Sequence, residues 1–253
     1  MILHAAEAGE GRPVVLLHGL FGRSQNLAYL AKRLAARQRV ISLDLRNHGA
    51  SAHATDMSYP TMAEDVRETL VKLGAWPACA LGHSMGGKVA MMLALLYPDH
   101  VEKLVVADIA PVPYAHRNRI VADALRAVAL VPGLARTAAS DALAPSIPQA
   151  AVRGFLLQNL VLGERPHWRI GLAEIAGALD EIEGWPAHAV GLSYSHSACF
   201  IVGANSNFVL PEHQPAIRTM FPRCRLMTIQ NAGHWLHADQ PEAFVAAVEG
   251  VLF

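Results

Sequence analysis

The chain has 253 residues, 53% of them hydrophobic, and its 21 basic residues balance its 21 acidic ones. That length can bury a large core, and balanced charge without a basic stripe or acidic tail argues against a nucleic-acid or polyanion partner. The N-terminus lacks a basic region followed by an apolar stretch, and no segment reaches the roughly 18 apolar residues that cross a bilayer, so no membrane span and a cytoplasmic location are expected. Cys79, Cys199 and Cys224 stand in no CxxC spacing; reduced thiols are expected, the first two buried in strands.

Residues 2–6 read as a short edge strand. After Gly9, Gly11 and Pro13, the run Val14-Val15-Leu16-Leu17 has no polar face, as in a parallel strand buried on both sides. It ends in His18-Gly19-Leu20-Phe21-Gly22, and a helix over 26–36 follows with Leu27, Leu30, Ala31 and Leu34 on one face. Val40-Ile41-Ser42-Leu43 is the next strand and runs into Asp44-Leu45-Arg46-Asn47-His48-Gly49. Met62, Val66, Leu70 and Leu73 then mark a helix over 61–73. A strand over 79–82 leads through Ser84 into a helix over 86–97 that Pro98 ends. Residues 104–109 form a further strand. Residues 111–190 break the alternation: rich in Ala, Leu, Arg and Pro, without a convincing strand, they read as a helical cap inserted in a core of 1–110 and 191–253. A strand over 198–202, a short helix near 212–220, a strand over 225–229 and a helix over 241–252 with Pro241 at its first position complete the chain. The expected fold class is α/β, a doubly wound and mostly parallel sheet, with ligands beyond the carboxyl ends of its strands.

Gly82-His83-Ser84-Met85-Gly86 places a serine at the apex of a strand–turn–helix, with glycines where a Cβ would strike backbone. Such a turn lifts the Ser84 hydroxyl off the sheet and leaves the Met85 amide at the positive end of a helix, so that a nucleophile sits beside an oxyanion donor. The motif is weak alone and gains from its context. His18-Gly19, Ser84, Asp108 and His234 each follow a different predicted strand. His234, in Asn231-Ala232-Gly233-His234-Trp235, is the expected general base, because imidazole ionises near working pH. His237 invites a metal pair with it, but no third ligand stands in a recognisable spacing and no metal site is expected. The carboxylate that holds the histidine is expected to be Asp108. The loop Gly203-Ala204-Asn205-Ser206-Asn207-Phe208 carries none; Asn207 could orient the ring without balancing its charge, and Asp239 reads better as a helix cap. Asp44 reads as a loop brace. The Leu20 amide, with Phe21 adjacent, is the expected second oxyanion donor, and Phe21 and Met85 would wall the acyl pocket. His83 reads as a buried support and His48 as part of a braced loop. The cluster Leu156, Leu157, Leu160, Val161 and Leu162 offers an apolar wall with Leu156 and Leu160 as substrate contacts, though packing of the cap on the sheet accounts for it equally.

His18-Gly19-Leu20-Phe21-Gly22, Asp44-Leu45-Arg46-Asn47-His48-Gly49, Gly82-His83-Ser84-Met85-Gly86-Gly87, Asp108-Ile109-Ala110-Pro111 and Gly233-His234-Trp235 together resemble the α/β-hydrolase superfamily. More narrowly, the set is similar to the small YbfF-type bacterial esterases and the related abhydrolase-domain-11 proteins of animals. The resemblance runs from about residue 13 to the C-terminus and is weakest in the cap, where Trp168-Arg169 and Gly184-Trp185-Pro186 correspond. It implies a serine esterase without a cofactor, acting on acyl esters and extending to acyl thioesters, with its acid at the position of Asp108.

Ser84 stands where dehalogenases and epoxide hydrolases of this fold need a carboxylate, which disfavours both. A C–C bond hydrolase or an aminopeptidase would use the same triad. The aminopeptidase would need cap acids to receive an amine; Glu174, Asp180, Glu181 and Glu183 are available but read as a solvated helix face. A non-catalytic ligand-binding protein of the same fold is the alternative from a different class. Arg117 and Arg119 read either as contacts for a phosphorylated carrier such as coenzyme A or as ordinary surface charge. The expected partner is a small acyl ester.

Overall fold

In the computed structural model, which describes residues 1–115, 118–189 and 191–253, strands and helices alternate through both ends of the chain. Arg117 lies outside the described residues. The chain opens with β1 (Ala5–Ala8) and β2 (Pro13–Leu17), a 3-10 turn over Ser24–Leu27 and α1 (Ala28–Leu34). Then come β3 (Arg39–Leu43), α2 (Tyr59–Lys72), β4 (Ala78–His83), α3 (Met85–Leu96) and β5 (Val101–Ala107). Next are α4 (Asn118–Ala127), α5 (Arg136–Leu143), α6 (Ala150–Leu156), β6 (Leu160–Val161), β7 (His167–Trp168), α7 (Leu172–Gly177) and α8 (Leu179–Glu183). The last stretch holds β8 (Ser197–Gly203), α9 (Gln214–Met220), β9 (Cys224–Ile229), α10 (Leu236–Asp239) and α11 (Pro241–Leu252).

Among the described residues seven strands form one sheet in the order β1-β3-β2-β4-β5-β8-β9, parallel except for the antiparallel edge strand β1. The order reverses between β2 and β4, and the loops leaving those strands diverge to open a crevice there. Side chains alternate across the sheet, and both faces are covered. Val14 and Leu16 join Leu30 and Leu34 of α1 and Phe244 and Val248 of α11 in one apolar cluster. Val15 and Leu17 join Met62 and Val66 of α2 and Val89 and Leu93 of α3 in the other. Leu125, Leu143, Leu156, Ile175 and Leu179, from the helices between β5 and β8, belong to that second cluster too.

Three expectations change. The strand expected over 104–109 runs over Val101–Ala107, which leaves Asp108 in the loop beyond it. The edge strand lies at Ala5–Ala8 rather than 2–6. The segment 111–190 also contains a strand pair, the antiparallel β6 and β7, with Leu160 opposite Trp168 and Val161 opposite His167. Strands of two residues are too short to display a period-two pattern, so the sequence reads as helix and loop throughout. All three cysteines are free, and burial pushes the Cys79 and Cys199 thiols up to about 11. No helix among the described residues is long and apolar enough to cross a membrane.

Leu16 is fully buried in the centre of the sheet. Leu16→Ala is expected to cost about 2–5 kcal/mol of stability, read from urea unfolding; a loss under about 1 kcal/mol would contradict this packing.

Candidate active site

β4 ends at His83 and α3 begins at Met85, so Ser84 alone makes the turn, with φ 53° and ψ −120°. A residue with a Cβ adopts that backbone only where its surroundings force it. The force is crowding. A Cβ on Gly82 would lie 2.0 Å from the Gly86 carbonyl oxygen, and one on Gly86 would lie 2.4 Å from the carbonyl oxygens of Leu17 and His18. The Ser84 N–H donates to the Ala107 carbonyl at 3.0 Å, which pins the apex to β5. Ser84 occupies the N-cap position of α3, yet its hydroxyl makes no capping bond. It is turned toward His234 instead.

The His234 Nε2 stands 3.0 Å from the Ser84 Oγ, and its Nδ1 stands 2.7 Å from Asp108 Oδ2. A carboxylate only accepts, so Nδ1 carries the hydrogen and Nε2 is left free to accept the hydroxyl proton. Asp108 follows β5 with φ 53° and is fully buried. A buried carboxylate needs donors. Besides the His234 Nδ1–H, it receives the Gly203 N–H at 3.0 Å on Oδ1 and the Ser206 hydroxyl on Oδ2. The loop after β8 therefore contributes Ser206 rather than Asn207. The His234 ring lies flat on Phe208 at 3.7 Å, and its carbonyl accepts from His83 Nε2 at 2.8 Å. Burial holds His83 well below the ordinary histidine range, with His234 and His237 adding to the effect. Asp239 accepts the Gly233 N–H at 2.8 Å and so braces the turn that presents His234.

The loop after β2 is fixed by two further histidines. His18 Nδ1 donates to the Gly19 carbonyl at 2.8 Å and its Nε2 accepts the Leu45 N–H at 3.0 Å. The Gly22 N–H reaches the same Gly19 carbonyl at 3.0 Å. In a trans peptide the N–H opposes the C=O, so holding the Gly19 oxygen also sets the direction of the Leu20 N–H. His48 Nδ1 donates to the Arg46 carbonyl at 2.8 Å while its Nε2 accepts the Phe21 N–H at 3.1 Å. The Phe21 amide is thereby engaged. Asp44 accepts the N–H groups of Ser24 at 2.7 Å and Ala50 at 2.9 Å, and so ties the neighbouring loops together.

Ser84 opens on a cavity of about 170 Å³ lined by Leu20, Phe21, Met85, Leu156, Phe155 and Trp235 among others. Leu160 does not line it. That residue sits on β6, buried against the apolar cluster, because the chain turns away from the cavity at Asn159. Glu183 is also placed differently from the solvated face expected of it. It is buried, lines the cavity, and accepts the Asn118 N–H and Nδ2–H, both at 2.9 Å. Arg119 donates to the Ala176 carbonyl at 2.9 Å.

Lys88 also lines the cavity, and its spacing from Ser84 is the one sign of it in the sequence. It lies one helical turn beyond Ser84 and is 1% exposed. Its ammonium donates to the Glu183 and Gly184 carbonyls at 3.2 and 2.6 Å, under the rings of Tyr59 and Tyr114. Burial pushes it down to about 7, against the pull of the Glu183 carboxylate. Among the described residues no group of three or more His, Cys, Asp or Glu side chains is arranged to hold a metal ion.

Sheet order and the turn at Ser84 define the class, and sequence comparison agrees: the chain belongs to the α/β-hydrolase fold family, matched over residues 12–241. It is 44% identical over 249 residues to the sn-1-specific diacylglycerol lipase ABHD11 of Mus musculus, covering 94% of this chain and 80% of that protein. It is 37% identical over 241 residues to esterase YbfF of Escherichia coli, covering 95% and 92%. A solved marine microorganism esterase superposes with a TM-score of 0.95 at 34% identity, covering 99% of both chains.

His48 is held neutral by burial, its pKa pushed down to about 3. The unfolded chain binds a proton there below about pH 6.5 and the folded chain does not, so stability falls as pH drops through that window. His48→Gln is expected to remove about 1.4 kcal/mol per pH unit of that slope between pH 4 and 6, measured by urea unfolding. An unchanged slope would contradict a neutral His48.

Proposed function

We propose that this carboxylic-ester hydrolase forms and then hydrolyses an acyl-enzyme on Ser84. The Ser84 oxygen attacks the acyl carbon while His234 Nε2 takes its proton, and Asp108 stabilises the resulting imidazolium through Nδ1–H. The negative oxygen of the tetrahedral intermediate is received by the Leu20 and Met85 amides. Collapse breaks the bond to the leaving alcohol, which takes the proton back from Nε2. A water activated by the same nitrogen then attacks the acyl carbon and releases the acid, and Ser84 recovers its proton.

The observation that carries this reading is the continuous line from Asp108 through His234 to Ser84, at 2.7 and 3.0 Å. The apolar side chains around Ser84 favour an uncharged acyl group. Acyl thioesters suit the same chemistry, since a thiol is a better leaving group than an alcohol. Amine recognition has less support. Of the four cap acids only Glu183 lines the cavity, and its carboxylate is engaged by Asn118. A non-catalytic ligand-binding role has no use for a strained serine held against an imidazole.

A fluorophosphonate probe is expected to label Ser84, and Ser84→Ala to abolish hydrolysis of p-nitrophenyl esters; turnover retained without Ser84 would overturn the proposal. Asp108→Asn is expected to lower kcat about 10³–10⁴-fold, because the wrong histidine tautomer is then favoured. A loss under about tenfold would remove Asp108 from that role.

A further inference from the structure

We propose that Asn159, supplied by the segment between β5 and β8, is a positioning residue for the oxyanion hole. It acts through the Phe21 carbonyl to keep the Leu20 amide aimed at the reacting oxygen. The inference rests on the acyl-transfer reading above.

Asn159 Nδ2 donates to the Phe21 carbonyl at 2.7 Å and to the Leu156 carbonyl at 3.3 Å. Phe21 has a φ of 59°, a conformation that a residue of its size does not hold unaided. Its N–H is fastened by His48 from the neighbouring loop, and its C=O by Asn159 from the opposite side. These two bonds hold the turn that brings the Gly22 N–H back to the Gly19 carbonyl, and that carbonyl sets the direction of the Leu20 N–H. His48 and His18 belong to the sheet loops, whereas Asn159 is anchored elsewhere: its own carbonyl accepts the Arg169 N–H at 2.8 Å, beside the β6–β7 hairpin. The oxyanion loop is therefore complete only with this segment in place.

The surroundings of Asn159 show that packing alone does not account for it. It is buried beside Leu156, Leu157 and Leu160, and among the described residues its Oδ1 has no hydrogen-bond partner. An orphaned buried acceptor is costly, and an apolar side chain of the same size would avoid the cost. What the amide supplies in return is the bond to Phe21.

Two variants test this. Asn159→Leu relieves one orphaned acceptor but leaves the Phe21 carbonyl without its donor, so it is expected to fold with at most a modest loss of Tm while lowering kcat on p-nitrophenyl esters by about tenfold or more, with KM nearly unchanged. Inhibition by an alkylboronic acid, whose adduct with serine places an oxygen in the oxyanion hole, is expected to weaken by the same factor. Asn159→Asp turns a carboxylate toward the Phe21 carbonyl; once protonated it can donate as the amide does. The ratio of wild-type to variant kcat is therefore expected to shrink as pH falls. Wild-type kcat in Asn159→Leu, or a loss confined to KM, overturns the inference. If the leucine variant is also destabilised, a kcat ratio for Asn159→Asp that does not change with pH overturns it, and one that shrinks supports it. Failure of the fluorophosphonate probe to label wild-type Ser84 would overturn the catalytic reading and this inference together. Normal labelling with wild-type kcat in Asn159→Leu overturns this inference alone.

Discussion

Backbone crowding where β2, β4 and α3 meet is the constraint on which the rest of the molecule depends. Gly82 and Gly86 sit so close to carbonyls of the neighbouring segments that no side chain can be added at either. The chain must therefore pass from strand to helix through one residue, and Ser84 takes the left-handed backbone that results. It is not alone. Phe21, Asn47, Asp108 and Asn231 also have positive φ, and each stands in a loop that leaves a sheet strand at its carboxyl end. Conformations of this kind cost on the order of 1 kcal/mol or more each. The two apolar clusters on the faces of the sheet supply the stability that sustains them.

Neutral imidazoles do much of the bracing around that edge. His18 and His48 each donate from one ring nitrogen and accept at the other, which links the loop after β2 to the loop after β3. His83 donates to the His234 carbonyl from below. A protonated ring cannot accept, so burial that keeps these rings uncharged is a condition of the bracing as well as a result of it. His234 differs from them in having its side chain 23% exposed and a carboxylate on Nδ1. One residue type thus serves as scaffold where it is buried and, in the reaction proposed above, as proton carrier where a carboxylate and a hydroxyl flank it.

The alternating fold was legible because its strands are short apolar runs closed by turn residues, and a fully buried parallel strand has no polar face to obscure it. Ser84, Asp108 and His234 could be singled out because each follows such a run. Other parts were not legible for definite reasons. The β6–β7 pair is too short to show a period. Glu183 ends a helix whose other acids, Asp180 and Glu181, are exposed, so only the fold reveals that it turns inward beside Lys88. Ser206 sits between two asparagines, and nothing local says which of the three meets Asp108. Asn159 was detectable in principle, as a polar residue inside Leu156-Leu157-Gln158-Asn159-Leu160. Its partner, though, is 138 positions away in the chain.

The helices between β5 and β8 share one continuous apolar cluster with the sheet helices. Swinging them outward as a rigid body would expose that common interior to water, which the hydrophobic effect opposes. Phe155, from those helices, and Trp235, next to His234, meet as half-buried rings 5.7 Å apart at the cavity wall. The wall around Ser84 is thus shared between that inserted stretch and the sheet loops, so a change of packing in one reshapes the room the other offers.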